Sequence, residues 1–429
     1  MEEICFLQAQ RPVGQGGFQT GSLIRRVGRY PFVPVKEELP VFNWAYDCGS
    51  DQLSALTTEI NKVSRVRFNV LFLSHLDSDH VVGVDQLLLT ASGVDELVLP
   101  YLGDDDWTLH LAAAAAGGRL SGTLVDLAAD PAGWFGARGV GRVVYIEAGD
   151  DNKESGRAVD GPDRIDPDSH MPEGNDEDLS RVGDDRQPSE TKWSRPPRAI
   201  HQGDRSSGRA QVDLLGRGAV AAVRVNGRTL NWVLSPFAFK PPAKKMLLFK
   251  QQLEHHFGAG RTAKEYAAAA RSAAGRRSLR ACYDAVWRTH NLHSMALYAG
   301  PVTVPSGKLR NTAWHGRFVR RMVQPGWVST GDFDASVQVR RDALLRYYSA
   351  YAPMVGQLSL PHHGSDLSFN SALLHAFPDL SCAIAAVGVN SHGHPGLGVQ
   401  TAVAARPSIE FVRVDEFASS VYQIGGPVP

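Results

Sequence analysis

The sequence predicts an α/β fold, and three observations predict it. Short apolar runs of strand character alternate with segments of helical periodicity. The later apolar runs each stop at a cluster of polar residues, as strands do when they feed loops at a sheet edge. The chain has 429 residues, 43% of them hydrophobic, enough to bury a sizeable core in packed layers.

In chain order, "FNWAY" reads as a strand and is followed by helical spacing at Leu53, Leu56 and Ile60. Next come a second strand, "FNVLFLS", and the helix-like "VVGVDQLLLT"; "RVVYIEA" closes a first globular segment over residues 1–148. Residues 149–207 change character: they are rich in Asp, Gly, Pro and Ser and poor in branched apolar residues. Such composition cannot offset its ordering entropy, so a disordered insertion serving as a tether is expected. The globular pattern resumes over 208–429, where "VNGR" predicts a hairpin turn between two strands. The alanine-rich stretch 261–289 predicts one or two helices whose arginines face solvent. "GWVST", "QLSL" and "CAIAAVGV" then predict three more strands.

Charge and cysteine usage exclude several classes. Lys plus Arg equals Asp plus Glu at 45 each, so no global charge excess points to a polyanion partner. Cys5, Cys48, Cys282 and Cys382 lie far apart without CxxC spacing, which argues against a disulfide framework and a thiolate zinc site and fits a reducing compartment. No window approaches the roughly 18 apolar residues of a membrane span, and the N-terminus "MEEICFLQAQ" lacks a secretory apolar stretch. A cytoplasmic protein with no membrane span is expected.

The densest chemistry is "SHLDSDH" at residues 74–80. His75, Asp77, Asp79 and His80 stand at a strand-to-helix corner, and the carboxyl ends of strands are where ligands bind in α/β folds. Two imidazoles and two carboxylates suit Zn²⁺ or Mn²⁺ without choosing between them. A lone His-x-Asp at a strand end is ordinarily a solvated turn or a helix cap; four donors on one corner are better explained by a metal. Asp332 in "VSTGDFD", His362 and His363 in "LPHHGSD", and His392 and His394 in "VNSHGHPG" add donors after three further apolar runs. A single carboxylate such as Asp332 can bridge two cations.

Taken in order, "SHLDSDH", "TGD", "PHHGS" and "GHPG" resemble the metallo-β-lactamase fold, in the ComEC-like competence-protein branch. That branch carries His-x-Asp-x-Asp-His where most of the superfamily has His-x-His-x-Asp-His. "GQGGFQTG" resembles its glycine-rich opening strand pair, and "FNWAYDCGS" resembles the strand whose aspartate, here Asp47, lies beneath the metals. The resemblance implies a four-layer αββα sandwich and two divalent ions. It places His75 and Asp77 on one ion, Asp79, His80 and His394 on the other, and Asp332 between them. Asp79 would orient the attacking water or accept its proton. His363 would be a further ligand or the proton donor to the leaving oxygen, and His362 would be structural. A further ligand of the first ion stays open between His290 and His293, with Asn291 and Ser294 matching the pair common in this branch.

This implies hydrolysis by activated water. A phosphodiesterase or nuclease is the leading expectation, acting on nucleic acid or a nucleotide-like substrate. An acyl hydrolase of a lactone, thioester or amide is the alternative, and a non-catalytic partner module is a third reading. Nucleic acid is a candidate partner because of two basic, aromatic patches. One is Arg317, Arg320 and Arg321 near Trp314, Phe318 and Trp327; the other is Lys240, Lys244, Lys245 and Lys250. Lysines and arginines snorkelling over apolar surface explain them equally well. Relatives of this branch in multi-gene bacterial systems, antiviral ones included, make a protein partner a further candidate.

Overall fold

The computed structural model describes residues 2–27, 37–148, 161–167, 189–201, 208–239, 241–287, 294–304, 311–316, 318–322 and 324–429. The first segment supplies β1 (Glu2–Gln10), β2 (Gln19–Val27), β3 (Glu37–Tyr46), β4 (Arg67–Phe72), β5 (Gly93–Pro100) and β6 (Arg142–Ile146). There follow β7 (Glu190–Trp193), β8 (Arg198–His201), β9 (Gln211–Leu215), β10 (Ala221–Val225), β11 (Arg228–Ala238) and β12 (Met295–Gly300). The remainder are β13 (Asn311–His315), β14 (Phe318–Met322), β15 (Gly326–Ser329), β16 (Val355–Ser359), β17 (Cys382–Ala386), β18 (Glu410–Val414) and β19 (Tyr422–Pro427).

Among the described residues these strands form two mixed sheets in an α/β arrangement. The eleven-stranded sheet runs β14-β13-β19-β1-β2-β3-β4-β5-β6-β9-β8, and the eight-stranded sheet runs β18-β17-β16-β15-β12-β11-β10-β7. Each contains a parallel block: β3 to β6 and β9 in the first, β15 to β18 in the second. Parallel strands need covered faces, and most residues of β4, β6 and β17 are accordingly buried. Phe42, Trp44, Val70 and Phe72 of the first sheet share one core with Trp232, Leu234, Leu297 and Trp327 of the second. A second core joins Leu71 and Leu97 to the helices of residues 53–62, 104–116, 122–129 and 263–284. A third joins Val328, Leu358 and Ala383 to the helix Gln338–Tyr347 and its neighbours. Among the described residues, no helix is long and apolar enough to cross a membrane.

The hairpin expected at "VNGR" forms between β10 and β11, with Asn226 and Gly227 both at positive φ, as a type I′ turn requires. The alanine-rich stretch forms two helices, Ala263–Ala270 and Ala273–Asp284, started by a Thr262 and Glu265 capping box and by Ser272.

One expectation is corrected. Residues 190–193 and 198–201, inside the stretch expected to be a disordered tether, are strands; the rest of 149–207, apart from 161–167, 189 and 194–197, lies outside the described residues. β7 pairs antiparallel with β10, and β8 with β9, each at the end of its sheet. An edge strand needs a partner on one side only and tolerates polar residues, which is why composition hides it. Specific contacts hold the segment: Glu96 Oε2 accepts from Thr191 Oγ1 at 2.8 Å and Trp193 Nε1 at 3.0 Å, and Arg195 donates to Asp163 through Nε and Nη2, each at 2.7 Å.

Candidate metal centre

Five strand ends converge on one place. Asp47 follows β3, Ser74 to His80 follow β4, Asp332 follows β15, His362 and His363 follow β16, and His392 and His394 follow β17. All are carboxyl ends within the parallel blocks, where loops gather above a rigid sheet. His75, Asp79, His80, His363 and Asp332 are each no more than 6% exposed.

The corner after β4 is turned by the short helix Ser78–Val81, with Asp77 at its N-cap. Two glycine features leave room for it. A side chain on Gly17 would meet His80 Nδ1 at 2.7 Å, and one on Gly49 would meet the His80 backbone at 2.4 Å. The opening "GQGG" stretch and "DCGS" therefore lie directly against His80. Gly331 sits at φ +53, and a Cβ there would come within 2.6 Å of Ser294 Oγ, so the residue before Asp332 has to be glycine. Asp47, His362 and His363 adopt positive φ of 58, 49 and 56 without being glycine. Such backbone costs about 1–3 kcal/mol per residue and collects at functional sites, where surrounding contacts over-determine it.

Each central imidazole has its Nδ1 tied down, which turns Nε2 toward the cluster. His80 Nδ1 donates to Asp47 Oδ2 at 2.8 Å, and Asp47 is itself fixed by Ser74 N and Ser74 Oγ, both at 2.7 Å. His363 Nδ1 donates to the Ala386 carbonyl at 2.9 Å, and His75 Nδ1 lies 2.8 Å from Ser74 Oγ. Metal-ligating histidines are held in this way, with the second nitrogen bonded to a carboxylate or carbonyl.

Asp332 is the hub. Its Oδ1 lies 3.1 Å from His80 Nε2 and 3.7 Å from His363 Nε2. Its Oδ2 lies 3.7 Å from His75 Nε2 and 3.6 Å from His362 Nε2. Asp79 Oδ2 is 3.2 Å from His363 Nε2, and Asp77 Oδ2 is 3.8 Å from His75 Nε2. Two donor groups with atoms within 4.8 Å of one another result: His75, His80 and Asp332, and Asp79, His80 and His363. The Nε2 atoms of His75, His80 and His363 and the Oδ1 of Asp332 are buried without a hydrogen bond of good geometry. Buried unsatisfied atoms cost about 1–3 kcal/mol each, and this donor set is one that could hold divalent cations.

Protons are distributed accordingly in the cation-free cluster. Burial, followed by the charge of His80, pushes the His75 imidazole down to about 4. Burial, then Asp79 and Asp332, pushes Asp77 up to about 8. Burial also opposes ionisation of Asp332, yet His362 and His80 hold it well below the usual carboxylate range. Burial opposes charging of His80 and His363 as well, but Asp332 and Asp47 raise the first and Asp79 and Asp332 raise the second.

The structure brings together His75, Asp77, Asp79, His80, Asp332 and His363, and it places two other histidines differently from expectation. His363, expected as a further ligand or proton donor, stands with Asp79 and His80 where His394 was expected. His394 lies farther out, its ring 5.0 Å from His362 and 6.4 Å from His363, with Nδ1 3.4 Å from Gln15 Nε2. His362 and His363 both have left-handed backbone, and His362, expected to be structural, has its Nε2 3.6 Å from Asp332 Oδ2. His290, Asn291 and His293 lie outside the described residues, while Ser294 is buried and donates to the Thr330 carbonyl at 3.3 Å.

A cavity of about 490 Å³ opens from Asp77, Asp79, Asp332 and His362. Among the described residues, Arg119 is the one lysine or arginine that lines it; sequence reasoning missed it. Among the described residues, none of either basic patch lines this cavity. Arg320 pairs with Glu410, Lys245 covers the Trp287 ring, and Lys250 pairs with Asp105, while Arg317 and Lys240 lie outside the described residues. No family model matches the chain, and no curated protein matches it.

Proposed function

We propose that the chain is a metal-dependent hydrolase of the metallo-β-lactamase fold, ComEC-like in its motif, that uses two divalent cations to direct water at an ester bond. The observation that carries this reading is the Asp332 carboxylate, whose two oxygens face two different imidazole pairs. The succession of helices, eleven-stranded sheet, eight-stranded sheet and helices supports the four-layer form of that fold.

His75, Asp77 and His362 would hold one cation, Asp79, His80 and His363 the other, and Asp332 both. When bound, such a pair supplies Lewis acidity and lowers the pKa of water toward neutrality. Zn²⁺ and Mn²⁺ suit the donors equally. Asp79 lines the cavity and is the carboxylate that orients the attacking water and takes up its proton. Asp47 and Ser74 keep His80 and His75 in the tautomers that present Nε2. His363, with Nδ1 committed to a carbonyl and Nε2 to the donor group, acts as a ligand and not as the leaving group's proton donor.

A phosphodiester is the preferred bond, because Arg119 puts a cation at the cavity for an anionic group. Carboxylic esters are the second reading, favoured by the largely apolar walls. Nucleic acid fits less well than a small molecule, since no described residue of the basic patches lines the cavity. Metal analysis of the purified chain, with turnover of a bis-aryl phosphodiester and an aryl acetate under Zn²⁺ and Mn²⁺, tests the proposal. Two ions per chain and faster phosphodiester turnover are expected. Fewer than one ion under metal-replete conditions sinks the two-cation reading, and cations without turnover of either probe would leave a non-catalytic module.

A further inference from the structure

The cavity has an inner part that the hydrolytic chemistry does not use. Beyond Asp77 and Asp79 it passes between the helices Asp104–Ala116, Gly122–Ala129 and Pro131–Gly136, and its walls there include Leu76, Val81, Leu124, Leu127, Trp134 and Phe135. These walls are held rigidly. Trp134 has Arg138 stacked 3.7 Å from its ring centroid and Phe135 edge-on at 5.1 Å, and Arg138 is anchored to Asp85 at 2.5 Å. Ser121 Oγ caps the Gly122–Ala129 helix by accepting from Leu124 N at 3.1 Å.

Polar residues outside the donor cluster, Gln15, Arg119 and His392 among them, also line the cavity. The helix Asp104–Ala116 ends in a Schellman motif: Arg119 N donates to the Ala114 carbonyl at 2.9 Å, Gly118 N to Ala115 at 3.3 Å, and Gly118 takes φ +70. The reversal brings Arg119 back to the cavity, where its guanidinium lies 3.4 Å from His392 Nε2. A single cavity thus offers one guanidinium, a donor cluster and an apolar chamber. A size of 490 Å³ falls within the roughly 300–1,000 Å³ of small-molecule sites.

We propose that the chamber receives the apolar part of the substrate, which makes that substrate a monomeric amphiphile: an ester of an alkyl or aryl group, with the reacting centre at Asp79 and Asp332 and an anionic oxygen paired to Arg119. This rests on the hydrolase reading for its chemistry, but the chamber itself is independent of the cations. A nucleic-acid strand does not fit the arrangement, because a polyanion would place charged phosphate against Leu124, Leu127 and Phe135.

The test is calorimetric titration of the full chain, as purified, with methyl-, butyl- and octylphosphonate, which no hydrolase cleaves at the carbon–phosphorus bond by this chemistry. Metal content is measured on the same samples. Affinity is expected to rise about threefold to fourfold for each methylene that enters the chamber. Ala114→Trp should flatten the rise by filling it; Ala114→Leu, a milder change that keeps the protein folded if the tryptophan does not, should flatten it partly. Arg119→Gln should weaken all three ligands by a similar factor. Affinity independent of chain length, or a rise that both Ala114 variants leave intact, overturns the chamber. A flat series on a chain that holds two cations spares the hydrolase reading, whereas a rising series on a chain that binds none removes that reading and leaves the chamber.

Discussion

At one end of the cavity, Asp77, Asp79, Asp332 and His362 are packed against further imidazoles, and their positions are fixed by directed contacts: hydrogen bonds to Asp47, Ser74 and Ala386, and three non-glycine residues in left-handed backbone. At the other end, Leu76, Leu124, Leu127 and Phe135 meet by packing alone. The first kind of surface cannot yield by small steps, because an unpaired charge or a lost acceptor leaves its neighbours unsatisfied. The second adjusts, since volume-conserving apolar exchanges ordinarily cost less than about 1.5 kcal/mol. On the proposed hydrolase reading, the donor end would fix the reaction, and the apolar end is where substrate choice could drift without loss of chemistry.

The largest effect should come from the hub. Asp332→Ala removes the atom pair facing both imidazole groups, so cation affinity should fall by more than the roughly 10–100-fold typical of residues one step removed from a metal. A competition titration against a chelator measures this, and turnover should vanish with it. Two tightly held cations in the variant would break the assignment of Asp332 as the shared ligand. Next in size is Asp47→Asn. It keeps the shape but lacks the charge that fixes His80, and cation affinity should fall about 10–100-fold while the thermal melt of the cation-free protein changes little by comparison. An unchanged affinity would mean that His80 is not a ligand.

A pH series sharpens the donor end further. Asp77 is raised to about 8 in the folded, cation-free chain against an ordinary 3.8, so its contribution to stability is full below about 4 and is lost as pH climbs toward 8. His80 and His363, also raised, act in the same sense. His75, lowered to about 4 from 6.5, opposes them between those two values by favouring folding as pH rises. The net loss is therefore cleanest from about pH 6.5 to 8. The Asp77 side chain is 28% exposed, so solvent screening reduces its share. Urea melts of chelator-treated Asp77→Asn should show a flatter profile in that window and higher stability than the parent at its upper end. Parallel profiles would mean that Asp77 is not desolvated. Cations displace the same protons, so their affinity for the parent should rise with pH.

The density of "SHLDSDH" made one corner of the site legible, because four donors in six positions after a buried strand have few other uses. Asp332 and the histidines after β16 were legible for the same reason, as donors at the ends of apolar runs. Which histidine completes the second donor group was not: His363 rather than His394 stands beside Asp79 because of φ values of 49 and 56 in "PHHG", and composition does not reveal backbone handedness. Arg119 was hidden in another way. The "GGR" after an alanine-rich helix was a usable signal for a helix-ending reversal, but the chamber to which it turns is assembled from segments distant in sequence. The α/β alternation was readable from apolar periodicity, whereas β7 and β8 were not, since polar edge strands owe their place to backbone pairing and to the contacts of Glu96.

The smallest expected effect concerns the apolar end and separates the two ends cleanly. Ser121→Ala removes the acceptor for Leu124 N at the start of the helix that carries Leu124 and Leu127 into the chamber. Loss of such a cap costs about 1 kcal/mol, which in a chain of this size lowers Tm by about 1–2 °C. Cation affinity should not move, because none of the hydrogen bonds that orient His75, His80 or His363 passes through this helix. A variant that lost cations together with thermal stability would show that the two ends are mechanically one unit. A helix that loosened while the cations stayed would locate substrate selection in an element that can change independently of the reaction.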